Sequence, residues 1–189
     1  SLDGNTTGNN QTAVGYNALA SNTTGNDNVA VGAYALDANT TASNNTAVGY
    51  GSLGLNTTGE NNVSIGFLAL DANTTGNNTA LGYEALGANT TANNNTAVGS
   101  LALDANTTGT NNDAFGFATL SENTTGSGNT AIGRSAANEN TTGSFNTCLG
   151  YLALNKNTTA SHNTAIGNDA LRYNTTGTQN VALGSLALD

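Results

Sequence analysis

The sequence predicts an all-β protein, a parallel β-solenoid of the β-roll or β-helix kind with one coil per repeat. Three observations carry this prediction. First, one sentence is repeated eleven times: copies begin at Asn5, Asn22, Asn39, Asn56, Asn73, Asn89, Asn106, Asn123, Asn140, Asn157 and Asn174, and every step is 17 residues except the 16 from Asn73 to Asn89. A fixed short period is the mark of a stacked array whose units touch only their neighbours, so residues 1–189 read as a single repeat array with no separate domains. Second, each copy has only two apolar anchors, too few to bury anything alone. Third, those anchors are punctuated by Gly and by Asn-rich corners, where a chain turns.

Position one is the first Asn of each copy. Positions one to three are Asn-Thr-Thr in all eleven copies, and position four is Gly in eight and Ala in three. Stacked Asn side chains at a corner hydrogen-bond along the stack, and Thr hydroxyls satisfy turn backbone. Position seven is Asn in every copy but the first, which has Gln11. A strand-like run follows: Thr or Val at eight, mostly Ala at nine, an apolar residue at ten (Val14, Val48, Ile65, Phe115) and an invariant Gly at eleven. That Gly suits a corner with positive φ or close backbone approach. Position fourteen is nearly always Ala, and fifteen is Leu in ten copies, Ala137 breaking the row. One turn of chain per copy places each column above itself at about 4.8 Å, giving a rod roughly 50 Å long. Positions ten and fifteen are expected to form two aliphatic ladders inside it. The Ala columns at nine and fourteen suit either a thin core or close approach of another chain. A coil combining one strand with a single helical turn is the alternative, because runs such as Phe67–Ala72 hold good helix formers but are short.

Composition narrows the function classes. Charged residues are 8% of the chain and hydrophobic ones 37%, with no Pro, Met or Trp. The fixed aliphatic columns distinguish this from a disordered low-complexity chain. A formal charge of −9 disfavours nucleic acid and anionic lipid as partners. No apolar run has the length of a membrane span, so membrane insertion is not expected. Cys148 is alone, so it forms no internal disulfide and leaves the redox compartment open.

The core of the repeat carries a resemblance. Asn45-Thr46-Ala47-Val48-Gly49, Asn129-Thr130-Ala131-Ile132-Gly133 and Asn163-Thr164-Ala165-Ile166-Gly167 resemble the Asn-Ser-Val-Ala-Ile-Gly core of the YadA-like head repeats of trimeric autotransporter adhesins. That family's unit is shorter by three residues. The full unit, as in Asn140 to Tyr151, is similar to repeats of phage-like tail-fibre proteins and bacterial surface proteins. The resemblance spans essentially the whole chain. It implies a β-roll or β-helix, often three chains side by side, on a cell or particle surface as a stalk or adhesive head. Coiled-coil stalk, membrane anchor and chaperone domain are not among the residues present.

Candidate chemistry is sparse. His162 takes the variable position six, where Asn44, Asp27 or Phe145 stand in other copies, and reads as a solvated substitution. Cys148 replaces Ala at position nine and reads as a buried filler. No nucleophile, base and orienting group assemble, so no enzyme is expected and no catalytic, cofactor or metal residue is assigned. Asp37, Asp71, Asp104 and Asp189 share position sixteen, but the Gly-Gly-x-Gly-x-Asp pattern of calcium-binding rolls is absent. The first Asn of every copy, Asn5 through Asn174, heads an Asn-x-Thr acceptor, which makes those eleven residues candidates for glycosylation. Acceptors about 4.8 Å apart would crowd a glycan on every coil, and O-linked sugar on the Thr rows meets the same limit. Ice binding wants Thr-x-Thr on one face, whereas Thr40 and Thr41 are adjacent and point apart. Position twelve carries a discontinuous aromatic row, Tyr16, Tyr50, Phe67, Tyr83, Phe117 and Tyr151, suited to stacking on sugars or packing against a sister chain.

The register also links the ends: Asp189 occupies position sixteen and Gly4 position seventeen, with no polar cap at either side. This fits a window of a longer array, or subunits that stack head to tail. The expected function is therefore that of a non-enzymatic structural protein, part of an extracellular fibre, filament or adhesin stalk or head. Its expected partners are copies of itself, stacked head to tail or in a lateral trimer, and glycans. The alternative is a carbohydrate- or ice-binding module using outward Thr and aromatic rows.

Overall fold

The computed structural model describes residues 1–189 and contains no helix. Eleven three-residue strands recur once per copy: β1 (Thr12–Val14), β2 (Val29–Val31), β3 (Thr46–Val48), β4 (Val63–Ile65), β5 (Thr79–Leu81), β6 (Thr96–Val98), β7 (Asp113–Phe115), β8 (Thr130–Ile132), β9 (Thr147–Leu149), β10 (Thr164–Ile166) and β11 (Val181–Leu183). They form one parallel sheet in sequence order. Equivalent positions pair, as with Thr12 opposite Val29 and Val14 opposite Val31. The 16-residue coil keeps this register, Val63 facing Thr79. The fold class read from the sequence therefore holds: a parallel β-solenoid with one coil per repeat.

The strands account for only 20 of 121 backbone hydrogen bonds, so the axial ladder is made mostly by turns. In nine of the eleven coils the position-fourteen N–H bonds the position-eleven carbonyl, as in Ala18 to Gly15, 3.4 Å. Positive φ at position thirteen makes this a type II turn, and positive φ at fifteen follows, as in Leu101 (59°) and Leu103 (51°). An L-residue there costs about 1–2 kcal/mol. At position fifteen the Leu side chain is fully buried in most coils, which returns about 1.5–3 kcal/mol. These alternating left-handed residues are what replaces the helical turn of the alternative architecture.

The core is a single cluster of Ala and Leu running the length of the rod. One expectation is corrected here. Position-ten residues do not line the interior: Ile65 is 41% exposed and Val14 59%, whereas Ala47 and Ala80 at position nine are 0% exposed. Side chains alternate along a strand, and the inward residue is the small one because position fourteen sits directly across from it. Ser52 (fourteen) and Ser64 (nine) bond each other at 2.7 Å through this interior. The Ala columns thus meet each other in one chain's thin core and leave no place for a second chain.

Gly at eleven is obligatory. At Gly99, φ is +136° and an added Cβ would lie 2.3 Å from the carbonyl oxygen of Gly116 in the next coil.

Candidate functional site

Two surfaces carry the recurrent side chains, and the interior Asn columns position both. Position seven is the key joint. Asn45 donates its backbone N–H to Asn28 Oδ1 (3.0 Å) and its Nδ2 to the Gly59 carbonyl (2.8 Å), while its own Oδ1 accepts from Asn62 N (3.0 Å). Asn45 thus bridges three coils, and its side-chain ladder serves an N–H of the corner that has no backbone acceptor, while its own carbonyl takes the Val29 N–H at 2.9 Å. Gln11 has a longer arm; it still reaches the Gly25 carbonyl, but its buried Oε1 finds no partner.

Position one builds a second amide chain. Asn39 Nδ2 bonds Asn22 Oδ1 (2.8 Å) and the Ala42 carbonyl (3.1 Å), and Asn123 Nδ2 bonds Asn106 Oδ1 (2.8 Å) and the Gly126 carbonyl (2.9 Å). Both amide hydrogens are committed. Nine of the eleven candidate glycan acceptors are 0% exposed; on the folded rod only Asn5 is exposed and only Asn174 half-buried. A sugar on any of the nine interior Asn would displace an amide hydrogen already bonded inside the stack. The stacked-corner role accounts for these residues.

In the 16-residue coil, Asn77 has the positive φ of position six and Asn78 makes the position-seven bonds, so the missing residue is position five. The loss is absorbed locally. Asn73 Nδ2 turns to the Thr75 carbonyl (2.6 Å), and Thr75 Oγ1 bonds the Ala92 carbonyl (2.5 Å) and Asn73 Oδ1 (3.2 Å).

The first surface is the outer face of the sheet. Positions eight and ten point outward together in every coil, giving Thr-x-Val or Thr-x-Ile pairs in β1, β3, β6, β8 and β10. Sequence reasoning placed one of these columns inside and so missed the face. The signal was available in the alternation of a strand whose middle residue is almost always Ala. Beside it runs the aromatic row. Tyr16, Tyr34, Tyr50, Phe67 and Tyr83 succeed one another at 5.4–5.6 Å between centroids, the first two contacts edge-to-face and the last two stacked. Tyr34 joins from position thirteen. Tyr50, Phe67 and Tyr83 cover one another's ring faces, which removes faces a sugar would cover in that part of the row, whereas Tyr16 and Tyr34 meet their neighbours edge-to-face. Further along, the Arg134 guanidinium lies 5.8 Å from the Phe117 ring centroid and 5.9 Å from that of Tyr151.

The second surface is the Asn end. Position-two hydroxyls bond the next coil's carbonyl, as in Thr23 Oγ1 to Thr40 O, 2.9 Å, and Thr141 Oγ1 to Thr158 O, 2.9 Å. Position-three Thr side chains instead face solvent.

Smaller features stand apart. A shallow depression of about 220 Å³ is lined by Leu68, Asp71, Glu84, Gly87, Ala88 and Asp104. Burial raises the Asp71 and Asp104 carboxyls above their ordinary range, with Asp37 and Glu84 respectively adding like-charge repulsion. Burial pushes the Cys148 thiol up to about 12, which fits a filler and not a nucleophile. His162 is exposed and stacks on Phe145, centroids 5.2 Å apart.

No known protein family, curated protein or solved structure matches the chain in comparison.

Proposed function

We propose that the chain is a non-enzymatic structural rod, part of an extracellular fibre, filament or adhesin stalk or head, and that its partners are copies of itself. The observation that carries this reading is the division of labour within the repeat. The Asn, Gly and Leu columns are spent on stacking coils, while a partly exposed apolar column at position ten runs along the outer face of all eleven strands, aliphatic in every strand but β7, where it is Phe115. Strands about 4.8 Å apart and about 10–13 Å of exposed width give a face of roughly 500–650 Å². Two such faces bury about 1,000–1,300 Å², near the lower bound of a specific interface. Lateral pairing or a trimer through the sheet face is consistent with the resemblance to trimeric adhesin heads. Light scattering coupled to size exclusion, with electron microscopy of the same fractions, tests it. The expected result is rods of more than one chain. Monomers that persist at high concentration, with Ile65→Lys and Ile132→Lys leaving the elution unchanged, would refute self-association.

The outward Thr-x-Val pairs favour a second reading, binding of ice or ordered water. Thr40 and Thr41 lie off the sheet, whereas the strand pairs share its outer face. Val29, Val63, Asp113 and Val181 interrupt the Thr column there, and Phe115 interrupts the aliphatic one. Thermal hysteresis decides: activity abolished by Thr96→Lys would establish this reading, and none at high concentration would remove it.

A further inference from the structure

One column of the repeat has no structural employment. Thr at position three is present in all eleven copies, although positions five, six, twelve and thirteen have diverged freely around it. Its side chain is exposed in ten of the eleven coils, Thr75 of the shortened coil being half-buried. Its neighbour at position two explains itself, since that hydroxyl bonds the next coil. At position three only Thr58 and Thr75 make a side-chain hydrogen bond, the former at 3.4 Å. The hydroxyls of Thr7, Thr24, Thr41, Thr108, Thr125 and Thr142, among others, contact no protein acceptor. Outside Thr58 and Thr75 no hydrogen bond of the fold requires Thr there, and no copy has substituted Ser, Val or Asn.

We propose that this column is an array of O-glycosylation sites, the acceptors being the position-three Thr hydroxyls and not the Asn residues that head the same Asn-Thr-Thr triplets. The two halves of the triplet differ in the way a modifying enzyme requires. The Asn amide is interior with both hydrogens committed. The Thr hydroxyl lies two residues away on the outside with none committed. In the transfer, Thr Oγ1 bonds to the anomeric carbon of a nucleotide-activated sugar as the bond from that carbon to phosphate breaks. The hydroxyl proton passes to a base of the glycosyltransferase, and the nucleoside diphosphate leaves. A neutral sugar suits the rod better than phosphate, because the chain already carries −9 and charges one coil apart, about 4.8 Å, would repel along the whole column. The same spacing limits the glycan to single sugars on successive coils or longer chains on alternate ones. The inference rests on the reading of the chain as an extracellular rod.

Two measurements test it. The protein isolated from its source organism is analysed by intact mass and by electron-transfer fragmentation, with far-UV spectroscopy and microscopy on the same sample to report the rod independently. Expected are mass increments of one or more hexose or N-acetylhexosamine units localised to position-three Thr. A mass equal to the bare sequence, or sugar confined to Asn or to position-two Thr, overturns the proposal whether or not the rod is seen. The unglycosylated recombinant chain carrying Thr41→Ala, Thr108→Ala and Thr142→Ala together is then melted beside wild type. Unchanged melting supports a column kept for modification. A fall as large as that from the matched position-two triple, Thr40→Ala, Thr107→Ala and Thr141→Ala, shows that folding alone retains it and overturns the proposal.

Discussion

Replacing Asn112 by Ala tests whether the position-seven side chains hold the coils together. Asn112 Nδ2 donates to the Gly126 carbonyl at 2.9 Å, and Asn112 Oδ1 accepts from the Asn129 N–H at 3.0 Å. Both residues it serves are buried. Ala leaves the buried Asn129 N–H unpaired, at about 1–3 kcal/mol, and removes one of the two bonds to the Gly126 carbonyl, which keeps Asn123 Nδ2 at 2.9 Å and so loses only about 1 kcal/mol; the expected loss is ~3 kcal/mol. Urea unfolding followed by far-UV circular dichroism reads it as a lower midpoint at an unchanged slope. The neighbouring variants grade the effect. Gln keeps the donor but, as Gln11 does, loses the acceptor's alignment and leaves the Asn129 N–H unpaired, so about two thirds of the loss is expected. Asp keeps the acceptor, loses the donor and buries a charge, so Asn112→Asp falls below Ala at pH 7 and recovers in acid, where the protonated carboxyl donates again. Thr108→Ala, a change at an exposed side chain whose hydroxyl meets no protein acceptor, serves as control. Equal midpoints for Asn112→Ala and Thr108→Ala would refute the Asn joint as the stacking element.

Three further outcomes follow from the same geometry. Gly99→Ala forces a Cβ to 2.3 Å from the Gly116 oxygen at φ +136°, a loss above ~3 kcal/mol, and limited proteolysis is expected to cut between the coils that hold β6 and β7. Asp71→Asn is expected to stabilise the rod at pH 7, because burial and Asp37 raise the Asp71 carboxyl in the fold. The sign follows from linkage: below the ordinary carboxylate pKa both states are protonated and no penalty exists, and as pH rises through the raised folded value the ionised acid destabilises the fold in full, so the variant's advantage vanishes near pH 3. Cys148, buried and with its thiol pushed up to about 12, is expected to resist a disulfide reagent at pH 8 and react at once in denaturant, making its labelling rate a local clock for opening around β9.

Much of the fold was legible in the sequence because the repeat removes ambiguity. Eleven aligned copies show which columns tolerate change: Asn at one and Gly at eleven are invariant, and Asn at seven and Leu at fifteen each change only once, at Gln11 and Ala137, all held for reasons of backbone and stacking. What was not legible is the direction in which the strand faces. Val48 is the more apolar neighbour of Ala47, and burial by hydrophobicity alone puts Val48 inside; the thin interior, closed by position fourteen, admits only the smaller one. The left-handed backbone was equally hidden. Leu at position fifteen is a poor choice for φ near 50° on local grounds, so no local rule finds it. Position six looked free to vary, yet its φ of 56–62° in Asn10, Asp27, Asn44 and His162 explains why Asn recurs there. Of the surface, the aromatic row was visible, but not the stacking that covers ring faces from Tyr50 to Tyr83.

The strain in this fold fixes how its stability is distributed. Each coil places three residues, at positions six, thirteen and fifteen, and one Gly in left-handed or otherwise costly backbone. The terms that offset this, Leu burial and the Asn bridges, exist only when a neighbouring coil is present. An isolated coil is therefore far from stable, and stability accrues per interface, as in other linear repeats. The interfaces are not equal. Between the coils beginning at Asn56 and Asn73 the position-one amide chain is interrupted, because Asn73 Nδ2 has turned to Thr75, while the position-seven bridge from Asn62 to Asn78 is kept at 2.9 Å. One of two amide columns is thus missing at a junction near the middle of the rod, beside the depression where Asp71, Glu84 and Asp104 crowd. The position-one chain also stops at Asn157, whose Oδ1 finds no partner next to the last coil, but only at the central joint do like charge and a lost bond coincide, so among the interior joints the rod should open there first. Removing the charge with Asp71→Asn and restoring the residue missing at position five are separate repairs of one weak joint, and they should add only if the two effects do not share a partner.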